Sequence, residues 1–337
     1  MEKRPVVARL NASTFPMSSE EKKILSRVNA DIIEIEGETD EEILSLCREV
    51  DAIMIVSSYL RGAVIKAMEN LKIISRLGTG VDKIDMDEAT RQGIIVTNLP
   101  DFSTDEVADH TMALLLSVAR RLKYYEAMMR KGQRPGLING MHRLSVQKLG
   151  VIGFGRIGRA VVKRAKGFGM DILVYDPAVS SEDVQNEGVR KVDFETILTE
   201  PDYLCLLCPL TDRTRGMIKM EELKKMKPTA VLINTGRGEL LSEHDLSEAL
   251  RTGVIRYAAV DVFGGINVFA ETGFPVNHPY FSLDNILLTP HVSALSEESL
   301  KDARTGGAEA VVKTLSGKYP AHIVNPGVQS GIKLVQG

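Results

Sequence analysis

Three strand-like apolar runs in the second half of the chain each lead straight into a residue equipped for anion or proton chemistry. Arg237 lies in Asn234-Thr235-Gly236-Arg237-Gly238, directly after Ala230–Ile233. Glycines on both sides leave its guanidinium uncrowded, so that it can bind a carboxylate through two parallel hydrogen bonds. His291 follows Leu288-Thr289-Pro290 at the end of another apolar stretch. An unperturbed imidazole titrates near neutrality, which suits taking up and returning a proton. Asp261 ends a third run, Tyr257–Val260. Singly, each reads more simply as a turn arginine, a histidine bonded to a carbonyl or a turn acid. Together at strand ends, where ligands gather in open α/β sheets, they point to a site.

The earlier stretch Lys148–Arg159 suggests what that site works with. A short apolar strand runs through Gly153-Phe154-Gly155-Arg156-Ile157-Gly158 into an amphipathic segment, Ala160–Phe168. A second strand, Asp171–Tyr175, then ends on Asp176. This is the order of parts in a dinucleotide-binding βαβ unit. Gly153 serves the tight turn, Gly155 the close approach of a pyrophosphate, and Gly158 the packing of helix on strand. The helix N-terminus offers unpaired N–H groups and partial positive charge to phosphates. Asp176 follows Gly153 by 23 positions, where the adenosine ribose belongs. A carboxylate there accepts from both ribose hydroxyls and repels a 2′-phosphate. Pro177, Ala178 and Val179 supply no cation for such a phosphate, so NAD(H) is expected rather than NADP(H).

These residues need two frameworks. At 337 residues the chain is long enough for about two domains. Strand-like runs at 6–10, 31–35, 52–56, 72–76 and 94–97 alternate with helical ones, which predicts a parallel sheet ending near Pro100. Ser18 and Glu21 form a capping box before the first helix. A single long helix is predicted from Ser103 to about Lys131, stopped by Gly132, as a connector, a subunit contact or a core helix. A second α/β unit follows, with strands at 203–207, 230–234, 257–260 and 285–288. The last helix spans Ser296 to Ser316. Two such units predict a cleft between them, a preferred place for a small molecule.

Composition narrows the partners. A net charge of −3 attracts neither nucleic acid nor an anionic membrane. No apolar run is long enough to span a bilayer and the N-terminus reads as no signal peptide, so a cytoplasmic protein is expected. Cys205 and Cys208 have the C-x-x-C spacing, but they sit in or beside an apolar run with no second pair to complete a zinc site. They read as packing residues, and no metal is expected.

The chain resembles the D-isomer-specific 2-hydroxyacid dehydrogenases. The matching pieces are Ser75–Asp82, Thr104–Ala108, Gly153–Gly158, Asn234–Gly238, Ala258–Phe263 and Thr289–His291, in family order over most of the chain. The resemblance implies a doubly wound Rossmann NAD domain, residues 101–292, inserted into a flavodoxin-like parallel-sheet substrate domain, residues 1–100 and 293–337. It implies reversible hydride transfer between a small 2-hydroxy or 2-keto acid and NAD(H). Arg237 would hold the substrate carboxylate and carbonyl, His291 would be the acid/base, and the backbone of Thr79 and Gly80 would cradle the carboxylate. Thr104, Arg156, Ile157, Thr235, Gly236, Asp261 and His291 fall at the family's NAD contacts, while Cys208 and Pro209 match a loop beside the adenosine. A homodimer is implied, with the Thr104–Lys131 helix a natural contact.

One departure concerns the histidine's partner. The family places a Glu about five positions after the Asp of Asp261-Val262-Phe263, where it favours the imidazolium. Ile266 stands there instead. Aligned from His278-Pro279-Tyr280-Phe281, Glu271 falls at that place after a loop insertion, and it is the residue expected to orient His291. The Thr289–His291 ending with Ser296-Glu297, and Ala108-Asp109, also resemble the C-terminal-binding-protein corepressors. An NAD(H)-sensing binding role with weak or no turnover is therefore the second function class.

Overall fold

The computed structural model describes residues 3–134, 136, 140–264, 266, 277–330 and 334–335. Its named strands pair only in parallel and make two sheets. The chain divides into two compact units. One takes the residues up to Ser103 and from Leu295 onward, and the other the described residues between Thr104 and Ala294.

The first unit holds β1 (Val6–Arg9), β2 (Asp31–Glu34), β3 (Ala52–Ile55), β4 (Ile73–Arg76) and β5 (Ile95–Thr97), in the order β2-β1-β3-β4-β5. That is the flavodoxin-like order. Its central strands read as unbroken apolar runs because both faces are covered; all four residues of β3 are buried. Ile43, Val64 and Ile65 pack on one side, and Leu25, Ala308 and Val311 on the other. The last two belong to the helix Glu297–Leu315, so the chain's final helix completes the core begun by its first strands. Ser75 Oγ donates to Gly307 O of that helix at 3.0 Å. The capping box at Ser18 and Glu21 is present, and Glu21 also pairs with the fully buried Arg9.

The second unit contains β6 (Lys148–Ile152), β7 (Asp171–Tyr175), β8 (Arg190–Lys191), β9 (Tyr203–Leu206), β10 (Val231–Asn234), β11 (Tyr257–Val260) and β12 (Ile286–Leu288). Their order is β12-β11-β10-β9-β6-β7-β8. Counted within the unit, this is the doubly wound 3-2-1-4-5-6 order with a seventh strand, and its direction reverses between β6 and β9.

The long helix differs from expectation. It is two helices, Thr104–Ala119 and Leu122–Arg130, with Arg121 between them in the left-handed region at φ 51°. No Gly or Pro marks the break, and the apolar pattern runs through it. Tertiary packing decides it instead: Ala108, Met112, Leu115 and Val118 are buried in the core shared with the helix Arg156–Lys166, whereas Leu122–Arg130 has no buried residue. The first piece is thus a core helix of the second unit. No helix among the described residues is long and apolar enough to cross a membrane.

Candidate active site

The glycine loop sits where the strand order reverses, between β6 and β9. Gly153 has φ +99°, and a Cβ there would lie 2.5 Å from the backbone nitrogen of Cys208, at the end of the neighbouring strand β9. Only glycine lets the ends of β6 and β9 come this close. A Cβ on Gly158 would strike the Gly153 carbonyl oxygen, so the helix can begin against the loop only with glycine there. Gly155 is different. Nothing lies within 4 Å of the place its Cβ would take. It precedes the helix Arg156–Lys166 without a side-chain cap, leaving the first N–H groups to an anion.

Asp176 closes this loop from the other side. Its Oδ2 accepts from Phe154 N at 2.7 Å and its Oδ1 from Ala178 N at 2.8 Å. A carboxylate offers about four acceptor sites, so two remain for a pair of ribose hydroxyls. Thr104 Oγ1 is buried and has no partner among the described residues, as expected of a hydroxyl kept for a ligand. The open face at Gly155, the spare acceptors of Asp176 and this unmatched hydroxyl fit a dinucleotide. Burial pushes the neighbouring thiols up, Cys205 to about 12 and Cys208 to about 11, so both stay protonated at neutral pH.

Arg237 and His291 follow β10 and β12, which flank β11 in register. Asn234 pairs with Val260, and Val260 with Leu288. At about 4.8 Å between adjacent strands, the chain ends of β10, β11 and β12 span about 10 Å. The Arg237 loop is shaped by its own first residue. The fully buried Asn234 donates Nδ2–H to Arg237 O at 2.8 Å and accepts from Gly236 N on Oδ1 at 3.1 Å. A Cβ on Gly238 would overlap the backbone of Phe263. Thr235 Oγ1 meets Thr111 Oγ1, on the Thr104–Ala119 helix, at 2.7 Å.

The His291 loop is held from outside by Asp261. The backbone oxygen of Asp261 accepts from His291 N at 2.8 Å. Its Oδ1 accepts from Thr289 Oγ1 at 2.6 Å and Val292 N at 3.1 Å, and its Oδ2 from Ser293 N at 3.0 Å. The carboxylate is fully buried, and His291 has φ 56°, in the left-handed region that few non-glycine residues adopt. Sequence reasoning placed Asp261 at the site as a strand-end acid; its grip on residues 289–293 was not legible there.

Glu271 lies outside the described residues. Two described residues on either side of it in sequence, Gly264 and His278, both meet Glu243, which sequence reasoning missed. Gly264 N donates to Glu243 Oε1 at 2.7 Å, and His278 Nε2 lies 3.1 Å from Oε2. His278 Nδ1 accepts from Tyr280 N at 3.3 Å, which places the ring hydrogen on Nε2. Thr79 and Gly80 belong to the first unit. There Asn98 Nδ2 donates to Thr79 O at 2.7 Å, and Thr79 Oγ1 donates to Leu99 O at 3.1 Å. The N–H groups of Thr79 and Gly80 carry no hydrogen bond among the described residues. Also among the described residues, no cluster of three His, Cys, Asp or Glu could hold a metal ion.

A glycine loop at the switch point of a doubly wound sheet, with an acid at the end of the next strand, defines a nucleotide-binding α/β unit. Residues 112–293 match the family model described as D-isomer specific 2-hydroxyacid dehydrogenase, NAD binding domain. The chain is 41% identical over 298 residues to a glyoxylate reductase of Thermococcus litoralis, covering 85% of this chain and 87% of the relative. It is 40% identical over 314 residues to a D-3-phosphoglycerate dehydrogenase of Methanocaldococcus jannaschii, covering 93% of this chain but only 58% of that protein. Among solved structures, a D-lactate dehydrogenase from Aquifex aeolicus, complexed with NAD and lactic acid, superposes with TM-score 0.83 at 26% identity, over 95% of this chain and 99% of the other. The chain belongs to the D-isomer-specific 2-hydroxyacid dehydrogenases and is an NAD-dependent oxidoreductase of that family.

Proposed function

We propose that the protein interconverts a small 2-keto acid and its D-2-hydroxy acid. NAD(H) supplies or accepts the hydride at C2. Arg237 binds the substrate carboxylate and carbonyl oxygen, polarising the carbonyl as negative charge develops on it. His291 gives that oxygen a proton in reduction and takes it back in oxidation. Glu271 orients the imidazole, and the Thr79 and Gly80 N–H groups receive the carboxylate. Gly153, Gly155, Arg156, Ile157, Gly158, Asp176, Cys208, Pro209, Thr104, Thr235, Gly236 and Asp261 form the NAD side. Residues 101–292 are assigned as the NAD domain and the remainder as the substrate domain.

The observation that carries this reading is the register of β10, β11 and β12. It delivers an arginine loop and a histidine loop to one end of one sheet, with a buried carboxylate fixing the histidine's backbone. Relatives named glyoxylate reductase favour a short keto acid as substrate. The exposed Leu122, Tyr124 and Met129 on the Leu122–Arg130 helix support a homodimer contact there. The free cysteines accord with a reducing cytoplasm. The test is a panel of keto acids with NADH, following NADH absorbance, on wild type, His291→Ala and Glu271→Gln. Turnover lost in His291→Ala supports the reading. Tight NADH binding with no turnover of any keto acid leaves the NAD(H)-sensing binding role.

A further inference from the structure

We propose that His110 is a positioning residue for His291, acting through Thr289 and Asp261; the proposal rests on the acid/base role given to His291 above. His110 lies on the Thr104–Ala119 helix, with its Nε2 3.0 Å from Thr289 Oγ1 and 3.6 Å from Asp261 Oδ1. The Thr289 hydroxyl has one hydrogen, and it is directed at Asp261 Oδ1 at 2.6 Å. Its oxygen can therefore only accept from His110, so the imidazole carries its hydrogen on Nε2. The result is a directed chain, His110 Nε2–H to Thr289 Oγ1–H to Asp261 Oδ1. It sets the rotor of the one side chain that joins the Asp261 carboxylate to the start of the His291 loop.

The next residue of the helix braces the other loop. Thr111 Oγ1 meets Thr235 Oγ1 at 2.7 Å, at the foot of the Arg237 turn. Consecutive residues of one helix thus touch both strand-end loops. Thr111 also donates to Val107 O within its own helix at 2.7 Å, which fixes its direction. The spacing between Arg237 and His291 is then set by a rigid element as well as by the sheet. The left-handed backbone at His291 makes this support matter: without it, the residue relaxes toward commoner conformations and carries the imidazole with it.

The experiment compares His110→Leu, His110→Gln, Thr289→Val, Thr289→Ser and the double variant His110→Leu/Thr289→Val, with His291→Asn as reference. It reads kcat and KM for a keto acid, NADH affinity by fluorescence, and melting temperature. His110→Leu and Thr289→Val are expected to lower kcat by about tenfold to a hundredfold, the effect of a displacement of about 1 Å, with NADH affinity within about threefold. The double variant should lose no more than the worse single one, because the two act as one chain. His110→Gln keeps a donor at the Nε2 position and Thr289→Ser keeps the hydroxyl, so both should recover most of kcat. Additive losses, unchanged kcat in both single variants, or no recovery in the conservative variants overturn the proposal. If His291→Asn abolishes turnover while the His110 and Thr289 variants match wild type, only the positioning role falls. Should His291→Asn itself retain turnover, the acid/base reading falls with it.

Discussion

The loops carrying Arg237 and His291 do neighbouring jobs and are built in opposite ways. The first is closed from within: Asn234 bonds both Gly236 N and Arg237 O, two and three residues on. The second is closed from a distance. Asp261 reaches Thr289, Val292 and Ser293, about thirty positions later in the chain, and His110 reaches Thr289 across 179. A self-closed turn keeps its shape wherever its strand ends. A loop held by a remote carboxylate keeps its shape only while two strands and a helix are packed together. The Arg237 turn is thus closed mainly by local bonds, with Thr111 bracing its foot, whereas the His291 loop depends on the tertiary fold throughout.

The largest effects should come from removing the groups themselves. His291→Ala and Arg237→Ala are each expected to lower kcat/KM by about a thousandfold, within the range for lost acid/base and charge-stabilising groups. Arg237→Ala should also raise KM because it removes the carboxylate anchor; more than a tenth of wild-type turnover in either variant would sink the assignment. Next comes Asp261→Asn. The amide turns a donor toward Val292 N and Thr289 Oγ1 or toward Ser293 N, an unmade buried bond worth about 1–3 kcal/mol. Turnover should fall about a hundredfold with the loop displaced, and calorimetry should show a lower melting temperature.

Asn234→Ala tests the self-closed loop. It loses two bonds but leaves the β10–β11–β12 register in place, so a loss of about tenfold is expected, seen mostly in KM. If it damages kcat as much as Asp261→Asn does, the contrast between local and remote closure is wrong. The smallest effect is a control in β9, which pairs with β10 on the side away from β11. Cys205 lies in β9, its thiol raised by burial to about 12 from an unfolded value of about 8.5. The folded state therefore holds this proton more tightly than the unfolded state. Its contribution is complete below about pH 8.5 and is lost as pH rises through the folded value. Cys205→Ala should flatten the alkaline fall in stability between about pH 9 and 11, followed by denaturant titration. Its turnover at neutral pH should stay within about twofold.

What could be read beforehand follows the same division. The glycine loop, Asp176, Arg237 and the capping box at Ser18 declare themselves because each works through neighbours a few residues away. The parallel strands were legible because two-sided burial makes continuous apolar runs. His110 gave a weaker signal, one imidazole beside Thr111 within an apolar helical run, and its partner lies far along the chain. Glu243 read as one more acid in a first helical turn; its pairing with Gly264 and His278 depends on the packed unit. Arg121 was hidden for a third reason. The apolar period continues across it, and only the edge of the core ends the helix.

Glu243 has a consequence for the chain between Gly264 and His278. One carboxylate receives Gly264 on one oxygen and His278 on the other, so the chain departs from and returns to a single anchoring point. The entropic cost of closing a loop rises only logarithmically with its length, about 0.6 kcal/mol for each doubling. Residues can therefore be added or exchanged between those ends while β11 and β12 keep their pairing. The length of chain between Gly264 and His278 is thereby a quantity that the sheet does not feel.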